Sequence, residues 1–377
     1  MKITFLLFMC FFGHGGIAQE DARKDTLNES ILIDKLFDTA DDMVGLFSGK
    51  SWTFIPAVTY SPETSLGLGV RALRIFRDSE TLITRPSTMP ITFLYTLKKQ
   101  IVFTTALDIW MNENADNLKA RIELTDYPFK FYGIGNELLA ENEESYATRY
   151  VHFQLEYQKL ITPGLYLGPK YEFRADDIYQ TETGGLLGTN QVSGSDGQRI
   201  SGIGLVLNYD TRNNIFQPDK GSFHQVSVMS FQPFLGSNFT FSQYQLDFRK
   251  YIKVYDHQIL AVQAWYSFTA GHPPFQHVSL IGGSDLMRGY FEGRYRDLHA
   301  MAYQAEYRLP IYRNLGLVLF GSAGQVAEKV TSYAINRFKY GGGLGFRYKF
   351  SEEGLSLRVD IAFGDQAAFY FGLNEVF

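Results

Sequence analysis

Thr240-Phe-Ser-Gln-Tyr-Gln-Leu-Asp-Phe-Arg-Lys-Tyr-Ile-Lys-Val254 alternates apolar and polar residues with period two. Tyr244, Leu246, Phe248, Ile252 and Val254 fall on one face, and Gln243, Gln245, Asp247, Arg249 and Lys253 on the other. Side chains two apart share a face only in an extended strand, so this stretch is a β-strand with one wet and one greasy side. The pattern recurs. Val151, Phe153, Leu155 and Tyr157 alternate with His152, Gln154, Glu156 and Gln158, and Leu357, Val359 and Ile361 with Ser356, Arg358 and Asp360. These runs are about 10 to 15 residues long, against the usual ~5–6 of globular proteins. Their apolar faces repeat Phe, Tyr and Leu, while their polar faces carry charge.

That combination suits strands standing in a bilayer. Lipid takes the apolar face, and a closed ring leaves no backbone edge unpaired in hydrocarbon. Composition agrees: aromatics reach 16%, with 35 Gly and a mean hydropathy of only -0.14. A formal net charge of -5 gives no basic footprint for nucleic acid. Counting strands from Ser51 to Phe377 gives sixteen, an even number, as single-chain bacterial outer-membrane barrels have. Three long connections, near 127–144, 179–198 and 270–298, all fall on one side of the sheet. Connections on the other side are mostly short turns such as Val254-Tyr-Asp-His257. The fold class expected is therefore all-β, a transmembrane 16-stranded antiparallel barrel.

The chain opens with Lys2, an apolar run from Ile3 to Phe12 too short to span a bilayer, and a small-x-small site at Gly16-Ile17-Ala18. Residues 1–18 read as a signal peptide that directs export, and residues 19–50 as a periplasmic arm or short amphipathic helix. The barrel occupies 51–377. The single cysteine, Cys10, lies in the leader, so disulfides and thiolate metal sites are not expected. Gly45-Leu-Phe-Ser-Gly-Lys-Ser51 is one residue short of a phosphate-binding loop and precedes a strand where that loop follows one.

Four local signals, in order, carry a family resemblance. They are Gly282-Gly283-Ser-Asp-Leu-Met-Arg288-Gly289-Tyr290, Tyr209-Asp210-Thr-Arg212-Asn-Asn-Ile-Phe-Gln-Pro218-Asp-Lys-Gly221, Glu306-Tyr-Arg308-Leu-Pro310, and Leu357-Arg-Val-Asp360. The chain also ends in alternating Phe369, Phe371 and Leu373 with a final Phe377, similar to the C-terminal signal of outer-membrane barrels, although Glu375 interrupts the apolar pattern. From about Ser51 onward the sequence resembles the Omp85 superfamily, the D15 bacterial surface antigens, of BamA and TamA type.

The resemblance implies an outer-membrane barrel, without enzymatic activity or cofactor, that assists insertion or translocation of proteins, or of lipids. Its partners would be outer-membrane lipid, client proteins and a separate periplasmic protein. It implies that the loop bearing Gly282, Gly283, Arg288, Gly289 and Tyr290 folds into the lumen. It also implies that Arg288 pairs there with inward carboxylates. Alternation makes those Glu306 and Asp360. The family's usual Asp on a neighbouring strand is replaced by Ser322, a neutral hydrogen-bond neighbour. Asp210, Arg212, Pro218 and Gly221 form a periplasmic turn. The family's periplasmic POTRA domains find no room in residues 19–50. Three other readings remain: a passive porin, a membrane anchor for a periplasmic partner, and an outer-membrane lipase. His152, His224, His257, His272, His277 and His299 are scattered without a Ser–His–acid spacing, and Asp176-Asp177 with Asp196 read as a solvated acidic loop rather than a cation site.

Overall fold

The computed structural model describes residues 52–61, 65–78, 84–351 and 354–377. The leader and arm expected at 1–50 lie outside the described residues. Sixteen strands form one antiparallel sheet in which each is bonded to the next in sequence. They are β1 (Thr53–Ser61), β2 (Ser65–Phe76), β3 (Ser87–Thr96), β4 (Ile101–Met111), β5 (Asp116–Phe131), β6 (Glu144–Thr162), β7 (Leu165–Thr181), β8 (Gln198–Asp210), β9 (Gly221–Phe231), β10 (Phe241–Tyr255), β11 (Gln258–Gly271), β14 (His299–Tyr312), β15 (Leu315–Ala327), β16 (Lys339–Lys349), β17 (Ser356–Phe363) and β18 (Ala367–Leu373). The two ends of this sheet, β1 and β18, lie against each other. A separate hairpin, β12 (Ser279–Ile281) with β13 (Tyr295–Asp297), sits inside the long connection between β11 and β14. That connection therefore has its own ladder, where the sequence suggested only a Gly-rich loop.

The sheet is built inside out relative to a soluble protein. On β8, Ile203, Leu205 and Leu207 are exposed while Val206 and Asn208 are buried. On β14, Tyr303 is exposed and Gln304, Glu306 and Arg308 are buried. An apolar outer face over a polar interior is stable only against lipid. Strand length varies strongly around the sheet. β6 and β7 have 19 and 17 residues, whereas β17, β18 and β1 have 8, 7 and 9. The uniform 10 to 15 residues of the sequence reading does not hold at either extreme.

The end bearing the long connections is covered. Phe131, Tyr146, Leu187 and Phe275 form an apolar cluster drawn from three separate segments. The Phe275 N–H donates to the Ser193 carbonyl at 2.8 Å, and the Asn136 side chain bonds the Arg337 carbonyl at 2.9 Å. Asp176 belongs to this rim but is not solvated, as the sequence reading had it. Its carboxylate is buried and takes two bonds from Arg174, both 2.7 Å. Two residues apart on one strand face the same way, which is why this pair meets.

The C-terminus also departs from expectation. Alternation continued to Phe377 would make it a last outward residue of the final strand. Instead β18 stops at Leu373, because Asn374 takes a left-handed φ of 63°. The chain then turns inward, and Phe377 packs against Tyr251 and Ala261 of β10 and β11.

Candidate functional site

The tip of the long connection, residues 282 to 290, lies inside the sheet. Its shape follows from its glycines. Gly282, Gly283 and Gly289 have φ of 110°, 103° and 100°, which side chains rarely adopt. At Gly289 a Cβ would come within 2.7 Å of the Phe363 carbonyl carbon. Met287 takes φ 59° without being glycine, and its side chain is fully buried. Such a conformation costs on the order of 1–3 kcal/mol and persists only where surrounding contacts hold it.

Those contacts come from five consecutive strands. The Met287 N–H donates to Gln304 Oε1 at 3.0 Å, on β14. Tyr290 Oη donates to the Tyr340 carbonyl at 2.8 Å, on β16, and the Gly289 N–H donates to Tyr370 Oη at 3.1 Å, on β18. Three glycines on the wall leave room for the loop. A Cβ on Gly324 would strike Met287 Sδ at 2.2 Å, one on Gly341 would meet the Arg288 carbonyl at 2.9 Å, and one on Gly364 would meet the Tyr290 ring at 2.6 Å. No motif in the sequence marks Gly324 or Gly364, whereas Gly341 belongs to the conspicuous run Gly341-Gly-Gly-Leu-Gly345.

Arg288 is at the centre of this arrangement and is almost completely buried. Its Nη2 donates to Glu306 Oε1 and its Nη1 to Asp360 Oδ2, both at 2.5 Å. The Phe320 ring on β15 covers the guanidinium, with its centroid 3.5 Å from Cζ. Ser322, expected as the polar neighbour, does not contact the guanidinium. Its Oγ turns to the Gly341 carbonyl at 3.4 Å. Phe320 and Ser322 share the inner face of β15, and the larger ring takes the place over the cation.

The cluster extends beyond what the sequence indicated. Arg308 bonds Glu306 Oε2 at 2.9 Å, and Arg347 bonds Asp360 Oδ1 at 2.6 Å. Glu375, which breaks the apolar pattern of the terminus, is buried. It accepts from Arg347 Nε at 2.8 Å and lies 3.7 Å from Arg308. Arg358 stands 3.7 Å from Asp360. Four guanidiniums thus share the buried carboxylates of Glu306, Asp360 and Glu375, while Arg308 also bonds the Phe377 main-chain oxygen at 2.7 Å and Arg358 lies 3.6 Å from the exposed Asp285. Each of the four keeps one buried N–H without an acceptor among the described residues.

The turn between β8 and β9 is a second ordered feature. Asp210 accepts from the Arg212 backbone N–H at 3.1 Å and from its guanidinium at 3.0 and 2.8 Å. Arg85, from the connection between β2 and β3, joins the same carboxylate at 2.7 Å. Gly221 has φ 104°, and a Cβ there would meet the Thr211 carbonyl oxygen at 2.3 Å. Pro218 is buried in this turn. Phe369, Phe371 and Leu373 alternate along β18 and are part-buried.

A third grouping is His152, Glu172 and His277. His152 Nε2 lies 2.8 Å from Glu172, with the His277 ring 6.5 Å from His152. Burial pushes the His277 imidazole down to about 4, so it is neutral near pH 7. The hydroxyl of Ser279, which with His277 lines the central cavity, donates to Ser267 Oγ at 2.8 Å and so is engaged elsewhere.

A sixteen-stranded sheet, apolar outside and charged within, with a loop latched into its interior, is the arrangement of an outer-membrane β-barrel. The Omp85 superfamily domain matches residues 95–377, three quarters of the chain, and the protein belongs to that superfamily. Among solved structures, BamA from Haemophilus ducreyi lacking POTRA domains 1–3 has a TM-score of 0.58 at 13% identity. The match covers 87% of this chain and 70% of that one. CdiB from Acinetobacter baumannii gives 0.56 at 11%, covering 87% and 60%. CdiB from Escherichia coli gives 0.60 at 8%, covering 87% and 63%. These likenesses establish a shared fold, and the chain spans under two thirds of the length of both CdiB proteins. No curated protein matches the chain.

Proposed function

We propose that this protein assists the insertion or translocation of other proteins at the bacterial outer membrane. A client would be received where β1 meets β18. The observation that carries this reading is the shortness of the sheet there. A strand needs ~9–11 residues to cross a bilayer. β17 and β18, with 8 and 7, fall short, and β1 only reaches the limit. Lipid beside them must thin to match, which lowers the barrier to inserting a new strand. Separating β1 from β18 would offer a client two unpaired edges, the geometry of strand addition. No bond-making chemistry is needed.

A passive porin would need an open lumen. Here the tip at 282–290 fills the interior beside β14 to β18, and the long connections cover one end. In this reading residues 1–18 direct export and residues 19–50 form an arm that meets a separate periplasmic partner. Depletion in the native bacterium tests the function. Several outer-membrane proteins should fall in abundance, measured by quantitative proteomics of purified outer membranes. Unchanged levels of all of them would contradict the proposal.

A further inference from the structure

On the outer face of the sheet a recess of about 680 Å³ lies over β9, β10, β11, β14 and β15, with Lys250 in its wall. We infer that this recess holds one anionic phospholipid from the leaflet on the short-turn side, with its phosphate at Lys250 and an acyl chain laid across β11, β14 and β15.

The first observation is shape. Register places Lys250, Val262, Ala305, Gly321 and Gly342 side by side in one row across five strands, from β10 to β16. The row on one side of it presents Phe248, Tyr303 and Tyr340, and the row on the other presents Ile252, Leu319 and Leu344, all exposed. Small residues between two bulky rows leave a trough. Its floor is not set by packing within the protein, because a Cβ on Gly321 would meet nothing nearer than the Gly341 carbonyl oxygen at 4.0 Å. Neighbouring strands lie ~4.8 Å apart, so the trough runs about 19 Å. With strands tilted ~35–45°, it descends roughly 11–13 Å through the bilayer, against ~15 Å for the hydrocarbon of one leaflet. The direction also fits. Lys250 is five residues from Tyr255, the short-turn end of β10, and its partner Ser222 adjoins Gly221, the first residue of β9. Gly342 is seven residues from Lys349, the short-turn end of β16. The trough therefore leads from a cation near the membrane edge toward the bilayer centre.

The second observation is charge. Tyr244, Leu246, Phe248, Ile252 and Val254 make the outward row of β10 apolar, and Lys250 is the one charged residue in it. A lysine that faces hydrocarbon is costly, and the cost falls close to the headgroups. Its ammonium donates to Ser222 Oγ at 3.1 Å and has no ion-pair partner among the described residues. An ammonium carries three N–H groups, so donors remain for a phosphodiester oxygen, which also supplies the missing negative charge. Choline or ethanolamine would bring a second cation to a place without a carboxylate to receive it, so a net-anionic headgroup fits better. None of these strands is β1 or β18, so the site is separate from the place where a client would be received.

The test uses the full chain in phosphatidylcholine vesicles doped with phosphatidylglycerol that carries a diazirine on its acyl chain. After irradiation, mass spectrometry of peptides locates the label, which should concentrate in 259–264, 302–307 and 317–323. A phosphatidylcholine probe with the same acyl chain should label these segments about fivefold less, and the phosphatidylglycerol probe should fall by about the same factor in Lys250→Gln. Lys250→Arg should keep the label. Gly321→Leu fills the trough from the lipid side and should bring labelling there down to the level of the remaining strands. Heat-modifiability on gels confirms that each variant folds. Label spread evenly around the barrel, equal labelling of these segments by the two lipids, or labelling unchanged in either Lys250→Gln or Gly321→Leu would overturn the assignment.

Discussion

Arg288 and Asp360 lie 72 residues apart and meet at 2.5 Å in the interior of the sheet, both essentially closed to solvent. Asp360 does not depend on Arg288 alone, because Arg347 holds its other oxygen at 2.6 Å. Glu306 is likewise shared between Arg288 and Arg308. This sharing decides how the loop responds to substitution.

Removing Arg288 leaves three guanidiniums for three carboxylates, so no acid is stranded. Arg288→Ala should cost about 1–3 kcal/mol in urea unfolding, from lost charged hydrogen bonds. Glu306→Gln leaves four guanidiniums for two carboxylates and should cost about 3–5 kcal/mol. The loop tip, freed in Arg288→Ala, should raise conductance in planar bilayers from small and flickering to larger steps. Equal stability losses, or conductance unchanged by Arg288→Ala, would show that the guanidinium does not latch the loop.

Glu375 gives a counterintuitive prediction. Restoring an apolar residue by Glu375→Leu makes the terminus resemble other barrels more closely. It should nevertheless destabilise by about 3–5 kcal/mol, because Arg347 and Arg308 lose a buried partner. The shift in heat-modifiability temperature reads this directly. A variant as stable as the parent would show that Glu375 is not paired in the membrane.

Gly289→Ala should disorder the tip while leaving the sheet intact. The added Cβ meets backbone at 2.7 Å and a φ of 100°. Strand circular dichroism should stay unchanged, and protease cutting between 282 and 290 should rise sharply. Resistance equal to the parent would contradict the packed tip.

Asp210→Asn tests the other ordered turn. The carboxylate anchors Arg212 of its own turn and Arg85 from a distant connection. The substitution should cost about 1–3 kcal/mol and speed proteolysis near Arg85 as well as near Arg212. Cleavage confined to the 211–220 turn would mean that Arg85 is held by other contacts.

Much of this architecture is legible in period two. Alternation alone turns Glu306 and Asp360 inward, and a loop Arg gives them a partner. Other features depend on register, which the sequence does not display. Arg347 reaches Asp360 because Gly345, two residues before it and on the same inner face, is the cross-strand partner of Asp360 and carries no side chain to intervene. Phe320 covers Arg288 because the loop enters at the height of that ring. The inward tail was hidden by its own composition, since Phe377 continues an apolar rhythm that a single left-handed residue, Asn374, interrupts. Arg85 was not legible at all: 125 residues separate it from Asp210, and nothing local marks it.

Reconstitution shows whether this barrel helps proteins enter a membrane. The purified chain is placed in liposomes, and a urea-unfolded outer-membrane barrel is added as client. Acquisition of protease resistance by the client is then followed in time. Insertion should be faster than in empty liposomes, abolished when β1 and β18 are joined by an engineered disulfide and restored by reductant. An identical rate with and without the protein would contradict it.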